Sequence, residues 1–598
     1  MSSSYKPRKH KGRSNNPSTA HISHSNADLF ITRDGNLAPA FPLVAFLWPA
    51  RSGVSQWLVI PAILMAAALF RWAVSLWGYS GLGVPPMFGD FEAQRHWMEI
   101  TTHLPLSQWY FYDLQYWGLD YPPLTAFHSW VLGKIGSLIN PSWFALDSSR
   151  GCEDPSLKLF MRASVIISEY SVYVPAVAIL LRRYVRRHSI PTWFSYVAIP
   201  AILLQPASIL VDHGHFQYNT VMLGFVVATV ESIEAERLLW ACVFFVFALA
   251  FKQMALYYAP VIFTYLLGTC LTPRLRLGRL LCIALVTVAS FVILVAPFAL
   301  FSGPNAAAGQ LPTPPLLENL PFSIDRDSAI YPSILQLAQI VHRIFPFSRG
   351  LFEDKVANFW CAAHTFYKLH VFPATQLQRL SLAATVTAAL PSCITILFHP
   401  RRGLLPYALA SCAWAFFLFS FQVHEKSVLL PLLPMTLLLG TGGGLSRPVR
   451  AWVGWANMLG AVTMYPLLKR DGLAIPYAIM TLLWAYLLGL PPTSLRLYTD
   501  RQPRLGDDGV TKYNDSVSLF TCLIHLASYL GMIVWHMGEA TVVPPKGKPD
   551  LWVVLNALMG AAGFGIVYLW CTWRLVQLAF GGPVSATSLK ARAERSKR

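Results

Sequence analysis

Leu280-Leu281-Cys282-Ile283-Ala284-Leu285-Val286-Thr287-Val288-Ala289-Ser290-Phe291-Val292-Ile293-Leu294-Val295-Ala296-Pro297-Phe298-Ala299-Leu300-Phe301 runs without a charged side chain. At a helical rise of about 1.5 Å per residue this stretch spans the ~30 Å hydrocarbon core of a bilayer. Comparable runs cover 57–79, 159–181, 193–211, 216–233, 238–251, 255–270, 380–398, 404–421, 427–441, 451–468, 473–490, 517–535 and 551–573. Those at 238–251 and 427–441 are the shortest. Composition agrees: 55% of the 598 residues are hydrophobic, 13% are charged, and mean hydropathy is +0.45. So little charge cannot cover a soluble surface of this size. The expected fold is all-α, a polytopic membrane bundle of about 14 transmembrane helices with two large loops on one side carrying amphipathic helices.

The net charge of +18 reads as topology, because the basic residues cluster beside the apolar runs as cytoplasmic loops do. Nucleic acid is therefore not an expected partner; membrane lipid is. With the N-terminus in the cytoplasm, the inside loops hold Arg182, Arg183, Arg186 and Arg187, then Arg274, Arg276 and Arg279, then Arg401 and Arg402, then Arg447 and Arg450, and finally the tail from Lys590. Both termini are then cytoplasmic. Segment 231–237 is acidic and gives this alternation no support. The same alternation makes the moderately apolar stretch 356–370 a helix at the membrane interface, since counting it as a span would put Arg401 and Arg402 outside.

The expected organisation is a disordered cytoplasmic tail, 1–50, that opens with basic sequence (Lys6 to Lys11) and lacks the apolar core of a signal peptide. A membrane module, 51–301, follows with a large outer loop at 80–158, then a second outer loop at 302–379, a second membrane module at 380–580, and a basic tail at 581–598. The first outer loop holds eight acidic residues against four Lys or Arg, the reverse of the inside loops. The nine cysteines show no paired spacing. Only Cys152 and Cys361 fall in long polar loops, where two unpaired thiols are favoured over a bridge. The sequon at Asn514 falls on the cytoplasmic side of this topology.

Polar groups concentrate where the outer loops meet the membrane. The first loop opens with Gly89-Asp90-Phe91-Glu92-Ala93-Gln94-Arg95-His96-Trp97. On a helix, Glu92, His96, Glu99 and His103 form one polar stripe, either a wet interfacial face or a divalent metal site. Asp120-Tyr121-Pro122-Pro123-Leu124-Thr125-Ala126 supplies a second acid, held off a helix by paired prolines or acting as a cap. On the same side come Asp212-His213-Gly214-His215-Phe216-Gln217-Tyr218-Asn219 and then Gln422-Val423-His424-Glu425-Lys426-Ser427. A His and a Lys at a membrane boundary suit a lipid phosphate, although Lys426 could equally snorkel from a span end. Arg71 and Glu169 lie inside apolar spans, where charges usually pair, and they are expected to pair with each other.

These four motifs, in this order, resemble the dolichyl-phosphate-glucose-dependent alpha-1,3-glucosyltransferases of the GT-C fold over about residues 55 to 575. Segments 92–97 and 123–126 resemble the branch that adds the first glucose to a lipid-linked nine-mannose oligosaccharide. The resemblance implies transfer of glucose, with inversion, from dolichyl phosphate glucose to the terminal mannose of a dolichyl-diphosphate-linked oligosaccharide, in the lumen of the endoplasmic reticulum. It implies no cofactor and no metal, which counts against the metal reading of the stripe. Asp90 matches the family's catalytic carboxylate and Asp120 is held in reserve. Glu92, Arg95, His96, His215, Gln217, His424 and Lys426 are the expected substrate-binding residues. The competing readings are the branch that adds the second glucose and, in another class, a lipid-linked sugar transporter or flippase. Transporters concentrate functional polar groups near the midplane, whereas here they gather in outer loops.

Overall fold

The computed structural model describes residues 29–33, 36–51, 56–301, 311–318, 325–345, 355–441, 444–499, 504–505, 511–512 and 517–581. The tail before 29, the sequon at 514–516 and the basic tail beyond 581 lie outside the described residues. The protein is almost wholly α-helical, with two short antiparallel strand pairs, Phe30–Arg33 with Asn36–Pro39 and Arg504–Leu505 with Thr511–Lys512.

Among the described residues, eight helices are long and apolar enough to cross a membrane: Trp57–Ser75, Pro155–Arg187, Gln253–Leu271, Leu277–Leu300, Ala374–Phe398, Arg402–Phe419, Leu519–Thr541 and Leu551–Phe580. A ninth span results if Trp193–Leu203 and Pro206–Phe216, bent by 49°, count as one. The other five expected spans fall on Asn219–Glu234, Leu238–Phe251, Leu429–Leu437 and Ala474–Leu488, which are short, and on Arg447–Arg470, which is long but carries arginines and a lysine. Helix termini follow local chemistry. Pro155 occupies the first turn of its helix after Asp154, whose carboxylate accepts from the Ser156 N–H at 2.6 Å. Leu277–Leu300 keeps Leu285 and Ile293 each 70% exposed, a surface tolerable only against lipid.

Residues 36–50, expected in the disordered tail, are folded onto the body. The Pro42–Leu47 helix buries Leu43 and Val44, and the Arg450 guanidinium stacks 4.0 Å over the Phe41 ring. The apolar stretch Phe41-Pro42-Leu43-Val44 explains why: exposing it in water would be unfavourable.

The expected pairing inside the bundle is present. Arg71 Nε and one terminal nitrogen each donate to Glu169 at 2.7 Å, His213 Nε2 meets the same carboxylate at 2.6 Å, and Arg71 also reaches the Leu203 carbonyl at 2.9 Å. Two buried charges are tolerated because every contact is bidentate or hydrogen-bonded. The pair ties the first span to the Pro155–Arg187 helix and to the bent segment that carries the His-rich motif.

The two large loops pack on each other. From Tyr331–Ile344, Gln339 donates to the Tyr110 carbonyl at 2.9 Å and Arg343 to the carbonyls of Gly118 and Leu119 at 2.8 and 3.1 Å. The stretch expected at the interface forms Phe359–Phe366 and Leu369–Val371, with Phe366, Tyr367 and Val371 exposed. No disulfide joins Cys152 to Cys361.

Candidate active site

Asp90 is the second residue of the Gly89–His103 helix, entered through left-handed backbone at Phe88 and Gly89 (φ 54° and 67°). A Cβ at Gly89 would sit 2.7 Å from Ser80 Oγ, so a side chain there would push away the hydroxyl that accepts from the Asp90 N–H at 3.2 Å. The carboxylate therefore stands at a helix N-terminus, where the peptide dipoles favour negative charge.

Three donors from two distant segments converge on Asp90 Oδ2: Lys426 Nζ, His215 Nε2 at 2.9 Å and Gln217 Nε2 at 2.6 Å. Among the described residues all of these contacts fall on Oδ2, and 22% of the Asp90 side chain remains exposed. Oδ1 takes no part in these three contacts. Burial pushes the Asp90 pKa up, but the Lys426 charge and the His215 hydrogen bond outweigh it and hold the carboxyl well below the usual carboxylate range. Asp90 is ionised and can accept a proton.

His215 is presented by a π-helical turn, Leu210–Phe216, which closes at Phe216 with φ 89°. Such wide turns change which side chains share a face, and here they split a compact motif three ways. His213 joins Arg71 and Glu169, His215 turns to Asp90, and Asp212 accepts from Asn219 Nδ2 and the Thr220 N–H at 2.9 and 2.6 Å, fixing the start of the next helix. The other ring nitrogen of His215, Nδ1, lies 2.5 Å from Asp471 Oδ2. Lys426 sits in the Glu425–Val428 turn, whose entry is held by the His424 N–H donating to Ser427 Oγ at 3.3 Å. His424 therefore stands beside the residue that touches Asp90.

Lys252 and Asp471 were not singled out by sequence, yet both belong to this cluster. Lys252 Nζ donates to Gln217 Oε1 at 2.8 Å and Asn219 Oδ1 at 2.6 Å and lies 4.6 Å from the centre of the Tyr121 ring. Gln217 consequently bridges Lys252 to Asp90, with its amide orientation fixed by a cation on one side and an anion on the other. Burial holds the Lys252 ammonium down to about 7, partly offset by Asp212, Asp90 and Asp120. A signal was available: Lys252 is a lone charge between two apolar runs, and the alternation of spans puts both 252 and the Lys469-Arg470-Asp471-Gly472 turn on the side of the other motifs.

Asp120 precedes the Pro123–Ile139 helix and is close enough to Lys252 and Tyr110 to act on both electrostatically. It joins the same cluster through Lys252.

Glu92, Arg95 and His96 do not line the opening as expected. Arg95 has 0% exposure and commits its guanidinium to Glu92 at 2.7 and 2.6 Å, Glu99 at 2.7 Å, the Trp143 carbonyl at 3.0 Å and Ser149 Oγ at 2.6 Å. His96 Nδ1 lies 3.1 Å from Glu99 Oε2. The physical reason is charge: once Phe91, Trp97 and Ile100 are buried, the polar stripe is carried inside and must neutralise itself. Glu92 and Glu99 neutralise Arg95, which leaves the stripe unsuited to a divalent metal. His103, at the end of the helix, is exposed. The network fixes the helix that carries Asp90.

The arrangement as a whole is an ionised carboxylate whose donors gather on one oxygen, backed by an ammonium and an imidazole. A group of this kind can remove a proton while the cations balance an anion nearby. The chain is 44% identical over 550 residues to the dolichyl pyrophosphate Man9GlcNAc2 alpha-1,3-glucosyltransferase of Saccharomyces cerevisiae, covering 90% of this chain and 95% of that one. It is 43% identical over 541 residues to a probable enzyme of the same name from Schizosaccharomyces pombe, covering 90% and 96%. With the Gallus gallus enzyme of that name it shares 38% over 541 residues, covering 86% and 98%. The model of the ALG6, ALG8 glycosyltransferase family matches residues 67–312 and 320–573, and the chain belongs to that family.

Proposed function

We propose that this protein transfers glucose from dolichyl phosphate glucose to the terminal mannose of the dolichyl-diphosphate-linked nine-mannose oligosaccharide, forming an alpha-1,3 bond, on the lumenal face of the endoplasmic reticulum membrane. The observation that carries this reading is the Asp90 carboxylate with three donors on Oδ2, where the first outer loop meets the turns that carry His215, Gln217 and Lys426. The names of the relatives supply the acceptor and the linkage; the donor comes from the resemblance of the motifs.

In this mechanism Asp90 Oδ1 takes the proton of the mannose hydroxyl as that oxygen bonds to the anomeric carbon of glucose. The bond from that carbon to phosphate breaks on the opposite face, and dolichyl phosphate leaves with the electron pair. One in-line displacement inverts the anomeric centre, as in inverting glycosidases that activate water with a carboxylate. Lys426 and His424 balance the leaving phosphate. Lys426 is also the counter-ion of Asp90, so as Lys426 turns toward phosphate, Asp90 loses a neighbouring cation and becomes a stronger base when it needs to accept. Asp120, Gln217 and His215 complete the polar wall, and Glu92, Arg95 and His96 hold the helix beneath it.

The test is transfer by purified protein from dolichyl phosphate glucose to the nine-mannose acceptor. A one-glucose product is expected. No such product, but turnover of an already monoglucosylated acceptor, would reassign the chain to the second-glucose step. Activity that survives EDTA is expected as well, because the carboxylate and histidine stripe beside the site is committed to Arg95.

A further inference from the structure

Both ring nitrogens of His215 face carboxylate oxygens, Nε2 toward Asp90 Oδ2 at 2.9 Å and Nδ1 toward Asp471 Oδ2 at 2.5 Å. An ionised carboxylate oxygen only accepts, so these two contacts favour hydrogen on both nitrogens and an imidazolium, against the Lys426 ammonium 3.2 Å from Nε2. Asp471 and His215 are 256 positions apart, and Asp471 belongs to the turn between Arg447–Arg470 and Ala474–Leu488, in the second membrane module.

The turn is seated with little tolerance. A Cβ on Gly78 would lie 2.3 Å from the Asp471 carbonyl oxygen, and one on Gly214 would lie 2.8 Å from Leu473. Arg162, from the Pro155–Arg187 helix, clamps both of those backbones, donating to Gly78 O at 2.8 Å, His213 O at 2.6 Å and Gly214 O at 2.7 Å. The Ser80 N–H donates to the His215 carbonyl at 3.0 Å. Two glycines and one buried arginine thus bring the turn against the imidazole, which is a reason for Gly at 78 and at 214 that neither helix needs by itself.

We propose that Asp471 is a positioning residue for glucosyl transfer: it holds His215 as a two-sided donor, keeps its Nε2–H on Asp90 Oδ2, and so leaves Oδ1 as the proton acceptor. The proposal rests on Asp90 being the base. The charged groups around His215 are Asp90 from the Gly89–His103 helix, Lys426 from the Glu425–Val428 turn, Asp471 from its own turn and Arg162 from the Pro155–Arg187 helix, with Lys252 one residue away through Gln217. Asp90 and Asp471 favour the imidazolium; Lys426, 3.2 Å from Nε2, disfavours it. Without the Asp471 charge the ring deprotonates at lower pH, and Asp90 loses a donor.

The experiment compares Asp471→Asn, His215→Gln and the double variant in full-length protein reconstituted in lipid, reading kcat, donor KM and the pH–rate profile. Asp471→Asn should lower kcat by about 10–100-fold, the range seen when the partner orienting a metal-bound histidine is removed, with donor KM little changed and the alkaline limb moved to lower pH. In the His215→Gln background it should add no further loss. Gly78→Ala, which displaces the turn and keeps the charge, should give a weaker form of the same signature. An unmoved alkaline limb, or a full additional loss in the double variant, overturns the proposal. An active Asp471→Asn beside an inactive Asp90→Asn also overturns it and leaves the base assignment standing; an active Asp90→Asn removes the base itself.

Discussion

Lys426 and Asp90 lie 336 positions apart in the chain and form an ion pair at the mouth of the site. Each keeps about a quarter of its side chain exposed, 24% for Lys426 and 22% for Asp90, so the pair is shielded from most solvent screening yet reachable by substrate. One contact joins the proposed base to the proposed phosphate grip.

Asp90→Asn keeps the shape of the side chain and removes the proton acceptor. Transfer should fall by about 100–10,000-fold, the usual worth of a positioned base, while the variant still binds dolichyl phosphate glucose. Single-turnover assays with donor binding measured in parallel check this, and near-normal turnover removes Asp90 from the mechanism.

Lys426→Met should both raise the KM for donor and move the acid limb of the pH–rate profile upward. The sign follows from the cause. Lys426 is the largest attractive charge holding the Asp90 carboxyl below its usual range, so its loss lets the carboxyl protonate at higher pH, and the base is silenced there. An unchanged acid limb would mean that Lys426 acts on donor alone.

Arg95→Met leaves Glu92 and Glu99 buried without their cation. Breaking one side of a buried pair costs about 3–5 kcal/mol, so the variant should unfold at lower temperature in detergent. The same network predicts acid sensitivity. Burial raises the Glu99 pKa, but His96 and Arg95 lower it further, from 4.5 to about 2. A depressed carboxylate stabilises the fold above its unfolded pKa, so this contribution is complete above 4.5 and is lost as pH falls toward about 2. Thermal unfolding followed across that window checks it, and Arg95→Met should flatten the dependence.

Lys252→Met removes the cation that fixes Gln217 by its Oε1. With the amide free to rotate, Asp90 loses a dependable donor at Oδ2, so kcat should fall and the acid limb should move upward, as with Lys426→Met but with donor KM unchanged. In the unaltered protein, deprotonation of Lys252 at about 7 should contribute to the alkaline side of the profile, and that contribution should vanish in the variant.

Apolar run length and basic clustering were enough to establish a helical membrane bundle, because spanning lipid is a local requirement: each segment must satisfy its own backbone hydrogen bonds in hydrocarbon. The same logic reaches Asp90, His215, Gln217 and Lys426 as polar residues at span ends, and the Arg71 and Glu169 pair. It could not separate groups that face substrate from groups that neutralise one another. Glu92, Arg95 and His96 share a motif with Asp90 and look alike in one dimension, yet a turn of helix separates the open carboxylate from a buried network. Lys252 and Asp471 stand alone in short turns, and only packing shows that Gln217 and His215 carry their charges to Asp90. Membrane insertion is decided segment by segment and is written in the sequence. The electrostatics of the site depend on distances between segments up to 336 residues apart, and only the folded chain fixes those.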